Sequence, residues 1–291
     1  IIEAGRLATS TTVLAARQLE NTVDAPFAPV PLDEILAAIR DQKPDVVCCP
    51  HVETSAGMMV PDSFISALAA AVHEYGGLFV LDCVASGTVF VNLQDTGVDV
   101  LLTAPQKGWS ASPCAALVMM SPHARACLDQ TTSSSFANDL KKWTQIMETY
   151  EDGAHAYHAT MPTDALRHFR DALVEAEGFG LDALKAAQIR LGQEVRELMD
   201  RYQYKSVAAA GFEAPSVVVC FAPSAEMKSG KAFAEQGLQI AAGVPLECGE
   251  REDYASFRIG LFGMDKLTEI DRTVAHLETA LEGIRGQNAP A

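Results

Sequence analysis

The sequence predicts an α/β fold with a mostly parallel sheet, followed by a smaller C-terminal α+β domain. Several short, unbroken runs of β-forming residues are typical of strands that are buried on both faces. Amphipathic segments with helical periodicity separate most of these runs, as the crossover connections of a parallel sheet require. Beyond residue 165 a long helical region and two further strand-like runs follow. We therefore expect two domains, 1–165 and 166–291.

Prolines and glycines set the limits of the elements in the first half of the chain. Lys43-Pro44 ends an amphipathic helix, Pro61 opens the next one and Gly76-Gly77 closes it. Pro122 starts a short helix after the fourth strand. In chain order, we expect helices at 1–20, 31–42, 61–76, 138–150, 163–202 (interrupted at 178–180), 231–236 and 266–284, and strands at 45–49, 78–81, 98–102, 114–120, 216–221 and 257–262.

Two neighbouring strands deliver a carboxylate and an amine to the same place. Asp82 directly follows the strand at 78–81, and Lys107 lies in the loop after the strand at 98–102. In a parallel sheet both positions lie beyond the carboxyl edge, where open α/β sheets bind ligands. An amine that forms a Schiff base and a carboxylate that keeps a ring nitrogen protonated are what pyridoxal 5′-phosphate (PLP) needs. A surface salt bridge between the two residues is the alternative.

Composition excludes several classes of partner. The net charge of −16 argues against nucleic acid and anionic membranes, which need basic patches. No apolar run approaches the roughly 20 residues of a membrane span. The seven cysteines show no CxxC spacing, which disfavours zinc and favours a reduced, cytoplasmic compartment. The chain begins at Ile1, within a stretch that reads as mid-domain, so we expect an N-terminal portion of the first domain to precede it.

Five motifs occur in a characteristic order along the chain. They are HVETSAG (51–57), LDCVAS (81–86), PQKG (105–108), YHATMP (157–162) and FRIGLFG (257–263). This set resembles the class V aminotransferases of PLP fold type I, closest to the alanine–glyoxylate and serine–pyruvate branch. The resemblance covers nearly the whole chain from about residue 43, and it implies a PLP-binding large domain and a small C-terminal domain.

The resemblance assigns cofactor-binding roles to five residues. Lys107 would bind PLP as a Schiff base, and Asp82 would pair with the ring nitrogen. Val84 would lie against the ring, while Gln106 and the Thr54 hydroxyl would lie near the phenolic oxygen. An aspartate beside the ring nitrogen keeps it cationic, so that the ring can accept electrons from a carbanion. For Thr54, a helix cap or a turn is the alternative.

Three further residues carry roles by the same resemblance. Tyr157 and Thr160 would reach the phosphate of the neighbouring subunit's cofactor, which implies a homodimer with shared active sites; ordinary loop packing is the alternative. Arg258 would bind the substrate α-carboxylate, since a fork of two N–H donors suits that group. The alternative for Arg258 is a structural ion pair with Glu247 or Glu250.

The sequence departs from the family pattern in one respect. Relatives hold the phosphate with a glycine- or serine-rich turn at a helix start and stack an aromatic ring on the cofactor. Before His51 this chain has neither tryptophan nor tyrosine, only Phe27, and no such turn is visible. We expect both features to belong to the preceding N-terminal portion.

The resulting hypothesis is a transaminase that uses PLP in a ping-pong cycle. It would move an amino group from alanine or serine to a small 2-oxo acid such as glyoxylate or pyruvate. One alternative is a PLP-dependent lyase or cysteine desulfurase, for which Cys248 is the only loop cysteine available. Another is a catalytically silent binding protein that retains the fold.

Overall fold

The computed structural model of the protein describes residues 8–287. Its strands are β1 (Arg17–Gln18), β2 (Phe27–Ala28), β3 (Val46–Pro50), β4 (Val52–Glu53), β5 (Met58–Met59), β6 (Leu78–Asp82), β7 (Val100–Thr103), β8 (Leu117–Met120), β9 (Val217–Phe221), β10 (Ala241–Ala242) and β11 (Ser256–Gly260). Its helices are α1 (Leu32–Gln42), α2 (Asp62–His73), α3 (Leu93–Thr96), α4 (Pro122–Asp129), α5 (Leu140–Glu151), α6 (Thr163–Phe179), α7 (Leu181–Arg201), α8 (Ala225–Ser229), α9 (Lys231–Ala234), α10 (Met264–Thr268) and α11 (Ile270–Gln287).

Four strands form the central sheet, in the order β3-β6-β7-β8. β3, β6 and β7 run parallel, and β8 runs antiparallel to β7. The prediction of an α/β fold with a mostly parallel sheet is therefore confirmed. Asp82 pairs with Pro50 on one side and with Leu102 on the other. The carboxyl ends of the three parallel strands thus meet at one edge, and the loops that follow them leave from that edge.

An apolar core holds α1 and α2 against the central sheet. Ile65 and Leu68 recur on α2 with helical spacing and are buried with Phe79 and Leu81 of β6. Full burial of each such side chain contributes about 1.5–3 kcal/mol. Gly76, at φ +81°, turns the chain from α2 towards β6, which is the stop that the Gly-Gly pair predicted.

A second core lies between α7, α11 and the antiparallel sheet β10-β11-β9. Leu184, Leu191 and Leu198 of α7 share one buried cluster with Phe257 of β11. The long helical region breaks at Gly180, which lies at φ +98° between α6 and α7, as predicted. The long helices are amphipathic, and within residues 8–287 none is long and apolar enough to cross a membrane.

The helix expected at 1–20 is wrong over its described part. From residue 8 onwards this segment contains no helix, and β1 pairs with β2 in antiparallel register. The Leu19 N–H donates to the Pro26 carbonyl at 2.9 Å. A run of serine and threonine lowers the helix propensity here, and a pairing with the nearby strand β2 forms instead. Residues 1–7 of that prediction lie outside the described residues.

The strand expected at 114–120 is shorter than predicted. β8 starts only at Leu117, because its partner β7 ends at Thr103, the residue that pairs with Leu117. Residues 114–116 therefore have no strand beside them with which to form a ladder.

Candidate functional site

Asp82 ends β6 at the carboxyl edge of the sheet. Its carboxylate is solvent-accessible, and Oδ1 accepts a hydrogen bond from the Val84 N–H at 2.9 Å. Its main-chain carbonyl accepts from the His51 N–H at 2.8 Å. These bonds fix the start of the turn after β6 while leaving a carboxylate oxygen available to a ligand.

Lys107 lies in a tight turn beyond β7. The Ser110 N–H donates to the Lys107 carbonyl at 3.1 Å, and Ser110 adopts φ +54°. The half-buried Lys107 side chain places Nζ 5.1 Å from the centroid of the Phe262 ring. The ring face attracts the ammonium group. Phe262 follows β11, so the C-terminal region contacts this lysine directly.

The loops that carry Asp82 and Lys107 touch at two glycines. A Cβ on Gly108 would lie 1.9 Å from the Gly87 carbonyl oxygen, so only a residue without a side chain fits this approach. Gly87 itself lies at φ +65°. The structure therefore brings the Asp82 and Lys107 loops into contact, as the parallel order of β6 and β7 predicted.

Residues from distant parts of the chain anchor the turn after β6. Ser216 Oγ donates to the Ala85 carbonyl at 2.8 Å, and Thr88 Oγ1 donates to the Leu184 carbonyl at 2.8 Å. Ser216 and Thr88 are buried. The sequence analysis did not find these anchors. The sequence contained one indication of such an anchor, because Ser216 is a hydroxyl residue at the start of an otherwise apolar strand.

His51 is a second residue that the sequence analysis left without a role. It is 1% exposed, and its Nδ1 lies 2.7 Å from Ser86 Oγ. Burial lowers the pKa of His51 to about 4, so its imidazole is neutral at physiological pH. It lies directly before the HVETSAG loop's short hairpin of β4 and β5.

The loop that carries Thr54 is held by that hairpin and by Arg196 of α7. Gly57, at φ +68°, closes the loop, and its N–H donates to the Glu53 carbonyl at 2.9 Å. Arg196 Nη2 donates to the Ala214 carbonyl at 2.7 Å and approaches the Gly57 carbonyl at 3.5 Å. Thr54 is half-buried within this loop.

Arg258 lies on β11, four residues before Phe262. Its Nε donates to the Ala242 carbonyl at 2.8 Å. Within residues 8–287 it forms no ion pair with Glu247 or Glu250, the acidic partners considered in the sequence analysis. The rest of the guanidinium fork is therefore free to bind an external carboxylate.

Glu250 is instead bound by the backbone of its own loop. Its carboxylate accepts from the N–H groups of Leu246, Glu247 and Cys248 at 2.6, 3.0 and 2.9 Å. Partial burial alone would raise the pKa of Glu250, but these N–H donors outweigh it and lower the pKa to about 2. The carboxylate thus shapes the loop that precedes β11.

The remaining predicted residues differ in their exposure. Val84, two residues after Asp82, is half-buried, and Gln106, directly before Lys107, is exposed. Tyr157 is 68% exposed, and its hydroxyl lies 3.2 Å from Thr160 Oγ1. Neither of these two side chains hydrogen-bonds to the Asp82 or Lys107 loop within the part of the chain described here.

Cysteine chemistry finds little support at this site. Burial raises the pKa of the Cys83 thiol to about 12. Partial burial, and then the nearby Glu250 carboxylate, raise the pKa of Cys248. A nucleophilic cysteine needs a lowered pKa, so this environment disfavours the desulfurase alternative.

The groups at the sheet edge fit PLP. A lysine amine can bind its aldehyde carbon. The accessible Asp82 carboxylate, which uses only Oδ1 in hydrogen bonds among the described residues, can bind a ring nitrogen. Fold and site together define the class of PLP fold type I enzymes. The comparisons with known proteins narrow this class to a family.

The Aminotransferase class-V family model matches residues 13–271, and the chain belongs to this family of PLP-dependent enzymes. A 2-aminoethylphosphonate–pyruvate transaminase of Burkholderia ambifaria (strain MC40-6) is 28% identical over 90% of this chain and 67% of the relative. Alanine–glyoxylate aminotransferase 1 of Saccharomyces cerevisiae (strain ATCC 204508 / S288c) is 32% identical, over 52% of this chain and 40% of its own length.

A solved structure supports the fold. The pyridoxamine–pyruvate aminotransferase of Mesorhizobium loti superposes with a TM-score of 0.75 at 20% identity, covering 89% of this chain and 64% of that protein. At this identity the likeness concerns the fold alone. The chain spans about two thirds of the length of relatives that match it along most of its length.

Proposed function

We propose that the protein is a PLP-dependent transaminase that moves the amino group of alanine or serine to a small 2-oxo acid such as glyoxylate or pyruvate. The observation that carries the proposal is the contact between the Asp82 and Lys107 loops at Gly87 and Gly108. Family membership and the names of several relatives support the transaminase class. The choice of small donors rests on the resemblance to the alanine–glyoxylate branch.

The chain's own residues divide the chemical work. When bound, PLP supplies the electron sink that makes a proton on the donor's Cα removable. Asp82 would keep the ring nitrogen protonated. Lys107 Nζ would hold the cofactor through its aldehyde carbon. The Lys107 amine, when not engaged in that bond, would act as general base and then general acid for the proton of the donor's Cα.

Other residues orient the reactants. Val84, two residues after Asp82, would pack against the ring, and Gln106 and Thr54 would bind near the phenolic oxygen. Arg258 binds the α-carboxylate of the donor through its guanidinium fork. Its lack of an ion pair with neighbouring acids, within the described residues, supports this role.

A homodimer with shared active sites completes the proposal. Tyr157 and Thr160 would bind the phosphate of the partner's cofactor. Their exposure is consistent with a surface that a second subunit covers. α5 has no buried residue. Met147 within it is 60% exposed, and Phe136, which precedes it, is 68% exposed. The domains divide as 1–165, which binds PLP, and 166–291, which contributes Arg258.

One half-reaction experiment tests the proposal. The PLP-loaded protein is mixed with single donors, namely alanine, serine, aspartate and 2-aminoethylphosphonate, and the visible absorbance of the bound cofactor is followed. We expect alanine or serine to bleach it and glyoxylate or pyruvate to restore it.

The variant Lys107→Ala should lose both the visible absorbance and turnover, whereas the exposed Lys231→Ala should keep both. A colourless wild type that Lys107→Ala leaves unchanged would contradict the proposal and favour the silent binding protein. Bleaching by 2-aminoethylphosphonate alone would contradict the choice of donor but not the class of reaction.

A further inference from the structure

Beneath the candidate site lies a buried polar pair, His51 and Ser86, which we call the His51–Ser86 clamp. The two residues are 1% and 3% exposed, and Nδ1 of the imidazole lies 2.7 Å from Ser86 Oγ. They are 35 residues apart in sequence and join the loops after two neighbouring parallel strands, β3 and β6. The clamp therefore connects the HVETSAG loop to the turn that carries Asp82.

The clamp is bonded to both ends of the turn that begins at Asp82. At one end, the His51 N–H donates to the Asp82 carbonyl at 2.8 Å. At the other end, the Ser86 N–H donates to the Cys83 carbonyl at 3.2 Å, and the imidazole binds the Ser86 hydroxyl. A single residue, His51, thus bonds to the first and the last residue of the turn 82–86. Removing the imidazole releases only the second of these bonds.

The clamp is costly as mere packing. Val52, Cys83 and Ala85, its neighbours in sequence, are all buried apolar residues, and a polar side chain in such surroundings costs free energy unless it is hydrogen-bonded. A leucine would fill the volume without that cost. What the imidazole adds is a directional bond that allows one position for Ser86, and hence one path for the turn.

This turn also determines where Lys107 lies. Gly87, the residue after Ser86, is in van der Waals contact with Gly108. A shift of the turn therefore moves the carboxylate of Asp82 and the loop of Lys107 together. The neutral form of His51, favoured by burial, suits a group that holds geometry and exchanges no proton with the ligand.

We propose that His51, acting through Ser86, is a positioning residue that holds the Asp82 carboxylate in register with the cofactor's ring nitrogen. This inference rests on the proposed function. It predicts that the clamp acts on PLP binding chiefly through the carboxylate at position 82. The effect of breaking the clamp should therefore be much smaller when Asp82 is replaced.

The test is a double-mutant cycle on the full-length chain. His51→Leu removes the hydrogen bond, His51→Asn keeps a polar group near the Nδ1 position, and Ser86→Ala removes the other partner. Each is made alone and together with Asp82→Asn. Two quantities are measured: the PLP dissociation constant after reconstitution of the apoprotein, and the midpoint of the pH titration of the cofactor's visible absorbance.

We expect His51→Leu and Ser86→Ala each to weaken PLP binding about tenfold and to shift the titration midpoint, as loss of one buried hydrogen bond implies. His51→Asn should restore most of the affinity. In the Asp82→Asn background, adding His51→Leu should change the dissociation constant by less than about twofold, because coupled sites are non-additive. Should His51→Leu fail to fold, as judged by circular dichroism, Ser86→Ala carries the same comparison.

Two results would overturn the inference on its own. One is that His51→Leu and Ser86→Ala both bind PLP as tightly as the wild type does. The other is an equal loss of affinity with and without Asp82→Asn, which would indicate general loosening of the fold. A wild type that takes up no PLP would overturn the proposed function, and the role of the clamp with it.

Discussion

A single methyl group added at Gly243 should impair binding of the amino donor while leaving binding of the cofactor nearly unchanged. It follows β10, whose Ala242 carbonyl accepts the hydrogen bond from Arg258 Nε at 2.8 Å. In Gly243→Ala the new Cβ would lie 1.8 Å from the Ser256 carbonyl oxygen and 2.5 Å from the carbonyl carbon. Both are backbone atoms of β11, so no side chain can rotate away to relieve the contact.

The size of the effect follows from that distance. A Cβ contact below 3.0 Å requires a shift, so β10 and β11 must separate by about 1.2 Å at this point. Overpacking of this kind costs about 1–3 kcal/mol of stability. Because Arg258 is two residues from Ser256 and bonds to β10, its guanidinium moves with the strands. A misplacement of about 1 Å in a substrate-binding group can cost about 100-fold in rate.

The assay compares two measurements on the same PLP-loaded protein. The rate of bleaching at low donor concentration should fall by about 100-fold in Gly243→Ala. The PLP dissociation constant should stay within about threefold, because Asp82 and Lys107 lie on other loops and additivity holds for separate sites. Gly178→Ala is the matched control, since a Cβ there meets no atom within 4 Å and Gly178 lies inside α6. It should stabilise the protein by up to about 1 kcal/mol.

Retention by Gly243→Ala of the donor rate and stability of Gly178→Ala would show that the contact with Ser256 does not displace Arg258. A fall in PLP affinity as large as the fall in donor rate would also contradict the prediction, because the damage would then reach the cofactor site.

Two further predictions concern stability. Arg196→Leu leaves the buried Ala214 carbonyl without the donor that now lies 2.7 Å away, so the free energy of unfolding measured in urea titrations should fall by about 1–3 kcal/mol. The control, Arg170→Leu, changes an exposed arginine and should be near neutral. Equal unfolding midpoints for the two variants would contradict this. The Glu250 carboxylate has a folded pKa of about 2, below its ordinary 4.5, so its stabilisation is complete above pH 4.5 and is lost as the pH falls towards 2. Near pH 6 the unfolding midpoint of the wild type should therefore be higher than that of Glu250→Gln, and the difference should shrink below pH 4.5. A difference that stays constant across this range would exclude the carboxylate as its cause.

The central sheet could be predicted because its determinants are local. A short apolar run of β-forming residues, a helix of period 3.6 and a glycine stop are each readable within a dozen residues. Once β6 and β7 are adjacent and parallel, the positions of Asp82 and Lys107 at one edge follow from topology alone. That step needs no knowledge of side-chain packing.

What the sequence could not predict depends on contacts between distant residues. Ser216 bonds to Ala85 over 131 positions, and Thr88 bonds to Leu184 over 96. Each is an ordinary hydroxyl residue, and no local pattern indicates which partner it will meet. The helix expected at 1–20 is wrong for a different reason, because the short-range pairing of β1 with β2 outweighed a weak helical preference.

These long-range bonds connect Arg258 to the turn of Asp82 through a path of ladder pairs and hydrogen bonds. Arg258 pairs with Val219 in the ladder between β11 and β9. Ser216 then accepts from the Leu261 N–H at 2.9 Å and donates through Oγ to the turn of Asp82. Because backbone ladders and buried hydrogen bonds resist deformation, the spacing between the backbone segments that carry Arg258 and Asp82 is set by the fold. A rigid spacing of this kind is what a site needs when it must hold a small donor by its carboxylate and present its amine to the cofactor.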